Sequence, residues 1–172
     1  MKSLLILRHA KSSWDDLGLD DFDRPLNKRG RKAAPLMAKY LKKQKLRPDL
    51  VLCSAARRTR ETWDLVAEAF EPAPQVKVLR SLYLASAARI LQAVQRTPAQ
   101  VGGVMVIGHN PGMERLAAQL AGPGSEAEAV QDLRGKFPTA ALAVVTAEVA
   151  SWRELAFGGG RLTAFVKPRD LA

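Results

Sequence analysis

Two histidines, His9 and His109, are the entire imidazole content of this 172-residue chain, and each stands just beyond an apolar run. His9 follows Leu4-Leu5-Ile6-Leu7 with Arg8 between, and His109 follows Val104-Met105-Val106-Ile107 with Gly108 between. Continuous apolar runs of this length read as buried, parallel strands, and open α/β sheets take their ligands just beyond the carboxyl ends of such strands. One histidine after one strand more often bonds a nearby carbonyl than performs chemistry. Two histidines at two strand ends point to a shared site. An imidazole with its ordinary pKa of ~6.5 is largely deprotonated at neutral pH, and neighbouring arginines push it lower, so His9 can attack as a nucleophile.

Positive charge is available at the same edge. Leu50-Val51-Leu52-Cys53-Ser54 reads as a further strand, running into a helix opened by Ala55-Ala56-Arg57-Arg58-Thr59-Arg60-Glu61-Thr62. Ser54 is the expected N-cap. An arginine in the first turn of that helix stands beside backbone N–H groups that favour anions. Arg8, Arg58, His9 and His109 can thus converge on one phosphate. An in-line nucleophile with positive charge around three equatorial oxygens is what phosphoryl transfer requires.

These segments resemble the histidine phosphatase superfamily, also called the phosphoglycerate mutase-like family, across most of the chain. Leu7-Arg8-His9-Ala10 resembles its Arg-His-Gly signature with alanine in place of glycine, and Arg24-Pro25-Leu26-Asn27-Lys28-Arg29-Gly30 resembles its Pro-Leu-Thr-x-x-Gly segment. Ser54 to Thr62 resembles Ser-Pro-Leu-x-Arg-Ala-x-Gln-Thr, a register that assigns the phosphate-binding arginine to Arg58 and not Arg57. Gly108-His109-Asn110 matches the second-histidine motif. The short length and Phe137-Pro138-Thr139-Ala140 are most similar to the bacterial phosphohistidine phosphatases. The resemblance implies that His9 is transiently phosphorylated while Arg8, Arg58 and His109 clamp the phosphoryl oxygens, with no metal or cofactor. Asn27 and Thr139 are weaker candidates to edge the pocket, since capping and turn formation explain them equally well.

The resemblance also sets up a discrimination between substrates. Ester-cleaving relatives carry a carboxylic acid in the segment after the third strand, whereas here that segment reads Leu79-Arg80-Ser81-Leu82-Tyr83. An imidazole leaves more readily than an alkoxide, so a site without a strong acid suits P–N cleavage. Glu61 or Asp21 remain alternative donors, which would favour a phosphatase of small phosphate esters. From a different class, a phosphate-recognising or polyanion-binding module is the alternative to an enzyme.

The rest of the sequence must hold these groups in place. The chain suffices for one domain, residues 1–172, with an ordinary core, and 47% hydrophobic content is that of a globular protein. No apolar stretch approaches the ~20 residues that span a bilayer, and the first segment reads as a strand, not a signal peptide, so a cytoplasmic monomer is expected. Cys53 is the only cysteine and reads as a reduced core thiol. The histidines lack zinc-site spacing. A formal charge of +10 is concentrated in residues 28–47, which carry nine Lys or Arg and no acid. Such a run is more often a solvated helix face than a nucleic-acid surface, though a positive rim can steer acidic or phosphorylated proteins.

Periodicity predicts the elements. After the first strand, residues 8–26 form a polar loop whose aspartates are expected to be mostly solvated. Asn27 caps a helix that Pro35 should kink or delay. Residues 56–70 form a helix with Trp63, Val66 and Phe70 on its inner stripe, followed by a strand at 76–79, a helix at 86–96, a strand at 104–107 and a helix at 112–121. Residues 122–138 are expected to be an irregular, flap-like connection. Strands are expected at 141–146 and 162–166, with a third candidate at 152–157. The sum is a three-layer α/β sandwich, a mostly parallel sheet with helices on both faces.

Overall fold

The computed structural model describes residues 1–172. Six strands form one sheet: β1 (Lys2–Arg8), β2 (Leu50–Ser54), β3 (Gln75–Leu79), β4 (Gly103–Gly108), β5 (Leu142–Ala147) and β6 (Arg161–Val166). Their order is β3-β2-β4-β1-β5-β6. β1 to β4 are parallel, β5 runs antiparallel to β1, and β6 runs antiparallel to β5. The inner strands are buried along their length, which is why their sequences are continuous apolar runs and not alternating ones.

Alternation decides which layer each side chain joins. Leu4, Ile6, Leu52 and Val106 face α3 (Ala87–Gln95), α4 (Gly112–Leu120) and α5 (Ala127–Gly135) through Ile90, Leu116 and Leu133. Leu5, Leu7, Cys53 and Ile107 face α1 (Lys28–Lys43) and α2 (Arg57–Val66) through Met37, Leu41, Trp63 and Val66. Each fully buried Leu, Ile or Val contributes about 1.5–3 kcal/mol, so both helical layers are anchored by the same strands. Trp63 and Phe70 stack at 6.2 Å, extending the predicted inner stripe beyond α2. No helix is long and apolar enough to cross a membrane.

Four local expectations are corrected. Pro35 lies within α1, which runs unbroken from Lys28 to Lys43. An interior proline costs a helix ~3 kcal/mol, and the buried stripe of Ala34, Met37, Ala38 and Leu41 offsets it. Ser54 does not cap α2: the cap position is Ala56 and makes no side-chain bond. The 122–138 connection contains α5, docked through Leu133. Trp152–Glu154 forms a 3₁₀ turn and not a strand, with the Trp152 indole nitrogen donating to the Val101 carbonyl at 2.7 Å.

Candidate active site

The carboxyl edge of the sheet carries both histidines because β1 and β4 are parallel neighbours, with Arg8 paired to Gly108. His9 and His109 follow directly, and their rings lie 5.4 Å apart, centroid to centroid. Only 6% of His9 and 2% of His109 is exposed. β2, on the far side of β4, delivers Ser54 and then α2, whose second residue, Arg58, is 3% exposed. Arg57 instead is solvent-facing and pairs with Glu61 at 2.8 Å. The structure therefore brings together Arg8, His9, Arg58 and His109, and selects Arg58 over its neighbour.

The hydrogen-bond network assigns both imidazole tautomers. His9 Nδ1 lies 2.7 Å from the Ala10 carbonyl, which can only accept, so Nδ1 carries the proton and Nε2 keeps its lone pair. His109 Nε2 lies 2.7 Å from Ser54 Oγ, and that hydroxyl already accepts the Ala56 N–H at 3.4 Å. Nε2 is the one acceptor within hydrogen-bond reach of the Ser54 hydroxyl proton, so Ser54 donates to Nε2 and His109 carries its proton on Nδ1. Burial lowers the pKa of His9 from 6.5 to about 3, aided by the charges of His109, Arg58 and Arg8. Burial likewise lowers His109 to about 3, with Arg58 as the next cause. Both rings are neutral at pH 7.

Three buried nitrogens of this cluster have no hydrogen-bond partner in the protein: Arg8 Nε, Arg58 Nε and His109 Nδ1. All three are donors. A buried donor without a partner costs ~1–3 kcal/mol, so their gathering in one place suits an anion with several acceptor oxygens. Other donors around the cluster are held by the protein. One terminal nitrogen of Arg8 donates to the Phe137 carbonyl at 3.0 Å, and Asn110 Nδ2 donates to the same oxygen at 3.0 Å. The Ala10 amide donates to Thr62 Oγ1 at 2.9 Å, which ties the His9 turn to α2.

Asp21, one of the loop acids and a candidate proton donor, is bonded to the Arg58 guanidinium and not freely solvated. Its carboxylate accepts from Arg58 at 3.0 Å, from Arg24 at 3.1 Å and from the Tyr83 hydroxyl. Burial would raise its pKa, but the Tyr83 bond and the Arg58 charge outweigh that and hold it at about 2. Tyr83 is correspondingly raised, by burial first and by the Asp21 bond second, and its ring meets His109 edge-on at 5.4 Å. Glu61 accepts the Leu26 amide at 2.9 Å and Arg57 at 2.8 Å. Asn27 uses its side-chain oxygen to cap α1 at the Gly30 amide. Thr139 lines a neighbouring cleft with Lys11 and Arg29. Cys53 is buried and pushed up to about 12 by desolvation, which makes it a poor nucleophile.

The sequence reading did not single out Ser54 as the partner of His109, nor Tyr83, Thr62 and Asn110 as organisers of the site. Ser54, Thr62 and Asn110, which lie inside quoted motifs, carried a signal, and Tyr83 carried none. No group of three His, Cys, Asp or Glu side chains is placed to hold a metal ion.

Comparison with known proteins agrees with this geometry. Residues 4–83 match the model of the histidine phosphatase superfamily, branch 1. The chain is 30% identical to the phosphohistidine phosphatase SixA of Escherichia coli over 83% of its own length and 84% of that protein's. It superposes on a candidate phosphohistidine phosphatase SixA from Nakamurella multipartitia with a TM-score of 0.83 and 30% identity, covering 97% of this chain and 96% of that one. A structure of the protein histidine phosphatase SixA complexed with tungstate gives a TM-score of 0.79 at 27% identity, covering 99% of each chain. With its two strand-end histidines side by side and Arg58 turned inward, the chain belongs to the histidine phosphatase superfamily and is a phosphatase.

Proposed function

We propose that this phosphatase hydrolyses phosphohistidine on a protein, with His9 as nucleophile and Arg8, Arg58 and His109 as the phosphoryl clamp. The observation that carries the reading is the set of three unpartnered buried donors around a neutral histidine whose free nitrogen is Nε2. Nε2 attacks phosphorus in line, forming the His9 N–P bond as the substrate's P–N bond breaks. A substrate imidazole that carries a proton on its second nitrogen departs as neutral imidazole. Water then attacks phosphorylated His9, releasing inorganic phosphate and restoring the ring. The positive donors need no reorganisation during either step.

The leaving group is argued from the acids. Asp21, the carboxylate bonded to Arg58, is held ionised at about 2 and so carries no proton to donate at neutral pH. Both oxygens of Glu61 are engaged by Leu26 and Arg57. An alkoxide leaving group needs a proton in the transition state, whereas a protonated phosphohistidine does not. The SixA relatives, named for phosphohistidine, favour the same substrate.

The test is kcat/KM for free phosphohistidine against phosphoserine and a sugar phosphate at one pH, with acid-labile phosphate trapped on the enzyme by rapid quench. Phosphohistidine is expected to be the better substrate, and the label is expected on His9. A faster ester, or a label on Cys53 or Ser54, overturns the reading. His9→Ala is expected to fold and to be inactive.

A further inference from the structure

The basic run of residues 28–47 does not lie along one edge of the molecule. α1 begins at the carboxyl edge of the sheet, where the Asn27 amide bonds the Lys11 carbonyl, and runs away from it. At 1.5 Å per residue, Lys39 to Lys43 stand about 16–22 Å farther along the helix axis than Lys28. A different set of cations gathers at the near end. Lys11 follows His9 by two residues, and Arg29 lies in the first turn of α1. β6 is parallel to β1, because both run antiparallel to β5, so Lys167 and Arg169 also emerge at the carboxyl edge.

These four cations, with Pro138 and Thr139, line an open cleft of about 200 Å³ into which no carboxylate projects. Lys167 is anchored at 2.8 Å by Asp132, which lies outside the cleft. Arg169 lies 3.9 Å from the exposed Asp170, and Lys11 and Arg29 take part in no ion pair. The wall between cleft and active site is the Phe137–Ala140 segment. On one side its Phe137 carbonyl receives Arg8 and Asn110, and its Ala140 amide bonds the carbonyls of Arg8 and His9. On the other, Pro138 and Thr139 face the cleft.

We infer that this cleft docks acidic side chains of the protein whose phosphohistidine enters the active site. The inference rests on the phosphohistidine reading above. Lys11, Arg29 and Arg169 are exposed and reach a surface-bound partner, and the volume far exceeds the ~30 Å³ share of one water, leaving room for more than one carboxylate. The two unpaired cations, Lys11 and Arg29, with the partly compensated Lys167 and Arg169 beside them, keep a positive field next to the site. The shared wall makes docking and chemistry adjacent, so a carboxylate near the phosphohistidine reaches the cleft while the phosphoryl group reaches His9.

The experiment uses phosphohistidine peptides of equal length with Asp/Glu or neutral flanks, together with free phosphohistidine. The full-length protein is expected to prefer the acidic peptide in kcat/KM by about tenfold at low salt, as several partly exposed charge pairs allow. The R29E/R169E double variant is expected to lose that preference and to turn over free phosphohistidine unchanged, whereas K39E/K42E keeps it. No preference in the wild type, or equal losses in both variants, overturns the cleft. Fluorescence anisotropy with the unphosphorylated acidic peptide reads docking apart from turnover. Binding that R29E/R169E abolishes supports the cleft even if every phosphohistidine substrate is refused, a result that would sink only the proposed substrate. An oligonucleotide that displaces the peptide at lower concentration than the peptide's own Kd would assign the cleft to nucleic acid and overturn the inference.

Discussion

Acidification should unfold this protein through its two histidines before most of its carboxylates matter. Each ring is held near pKa 3 in the folded chain, against 6.5 ordinarily, chiefly by burial. Between those values the unfolded chain binds protons that the folded chain refuses. Stability is therefore full above pH 6.5 and is lost as pH falls towards 3. One such group contributes a slope of up to about 1.4 kcal/mol per pH unit, and two give about 2–3 kcal/mol per unit near pH 5. Against a total stability of about 5–15 kcal/mol, two pH units consume a large share. Asp21, held at about 2 against 3.8, adds to the loss only below about pH 4. Urea midpoints at pH 7, 6 and 5 and constant ionic strength measure the slope, and His109→Asn should halve it. Imidazole nitrogen NMR reports the cause directly, since the chain has only two histidines: both should stay neutral, protonated on Nδ1, at pH 5. Flat urea midpoints, or rings titrating near 6.5, would refute the burial argument and the tautomers assigned with it.

Arg58→Ala should lower kcat/KM by about 10²- to 10³-fold, as loss of a transition-state donor does, while Arg57→Ala should change it little; equal losses would show that the wrong guanidinium has been placed in the clamp. Ser54→Ala leaves His109 Nε2 buried without its donor and should reduce stability by about 1–3 kcal/mol, read from urea midpoints, with a fall in kcat; unchanged midpoints would count against that bond. Gly30→Ala would put a methyl carbon 2.2 Å from the Lys11 carbonyl oxygen, so it should destabilise by at least ~1–3 kcal/mol, checked by thermal unfolding. Cys53, pushed up to about 12 and buried, should resist a thiol reagent at pH 8 until the chain is unfolded; fast native labelling would contradict its burial.

Much of this was readable in the residues because burial on both faces leaves a plain signature. The apolar runs of β1, β2 and β4 lie within one or two residues of their observed bounds, and the position just beyond a strand end carried the two histidines and, through the family motif, Arg58. What was not readable involves partners far apart in sequence. Ser54 fits a helix-cap pattern locally, yet its hydroxyl meets His109 across 55 positions. Asp21 sits among other aspartates in a polar loop, and nothing nearby reveals Arg58 or Tyr83, 37 and 62 positions away. Glycine and proline at both ends of the 122–138 segment masked α5, whose packing depends largely on Leu133. Trp152 has a strand-forming side chain, but its indole finds Val101 and the backbone closes into a turn.

β1 is synthesised before the other five strands, yet its sheet neighbours are β4 and β5, contributed by residues 103–108 and 142–147. At about 5–20 residues per second on a ribosome, the strand that carries His9 waits on the order of 5–20 s for its first partner. β2 and β3 can pair in that interval, but they join β1 only through β4. For that time Leu4, Leu5, Ile6 and Leu7 form an apolar segment without its sheet partners, open to aggregation. The same topology rules out a working amino-terminal half. His109 arrives on the strand that completes the β1–β2 connection, so the phosphate clamp and the continuous sheet come into being in one event.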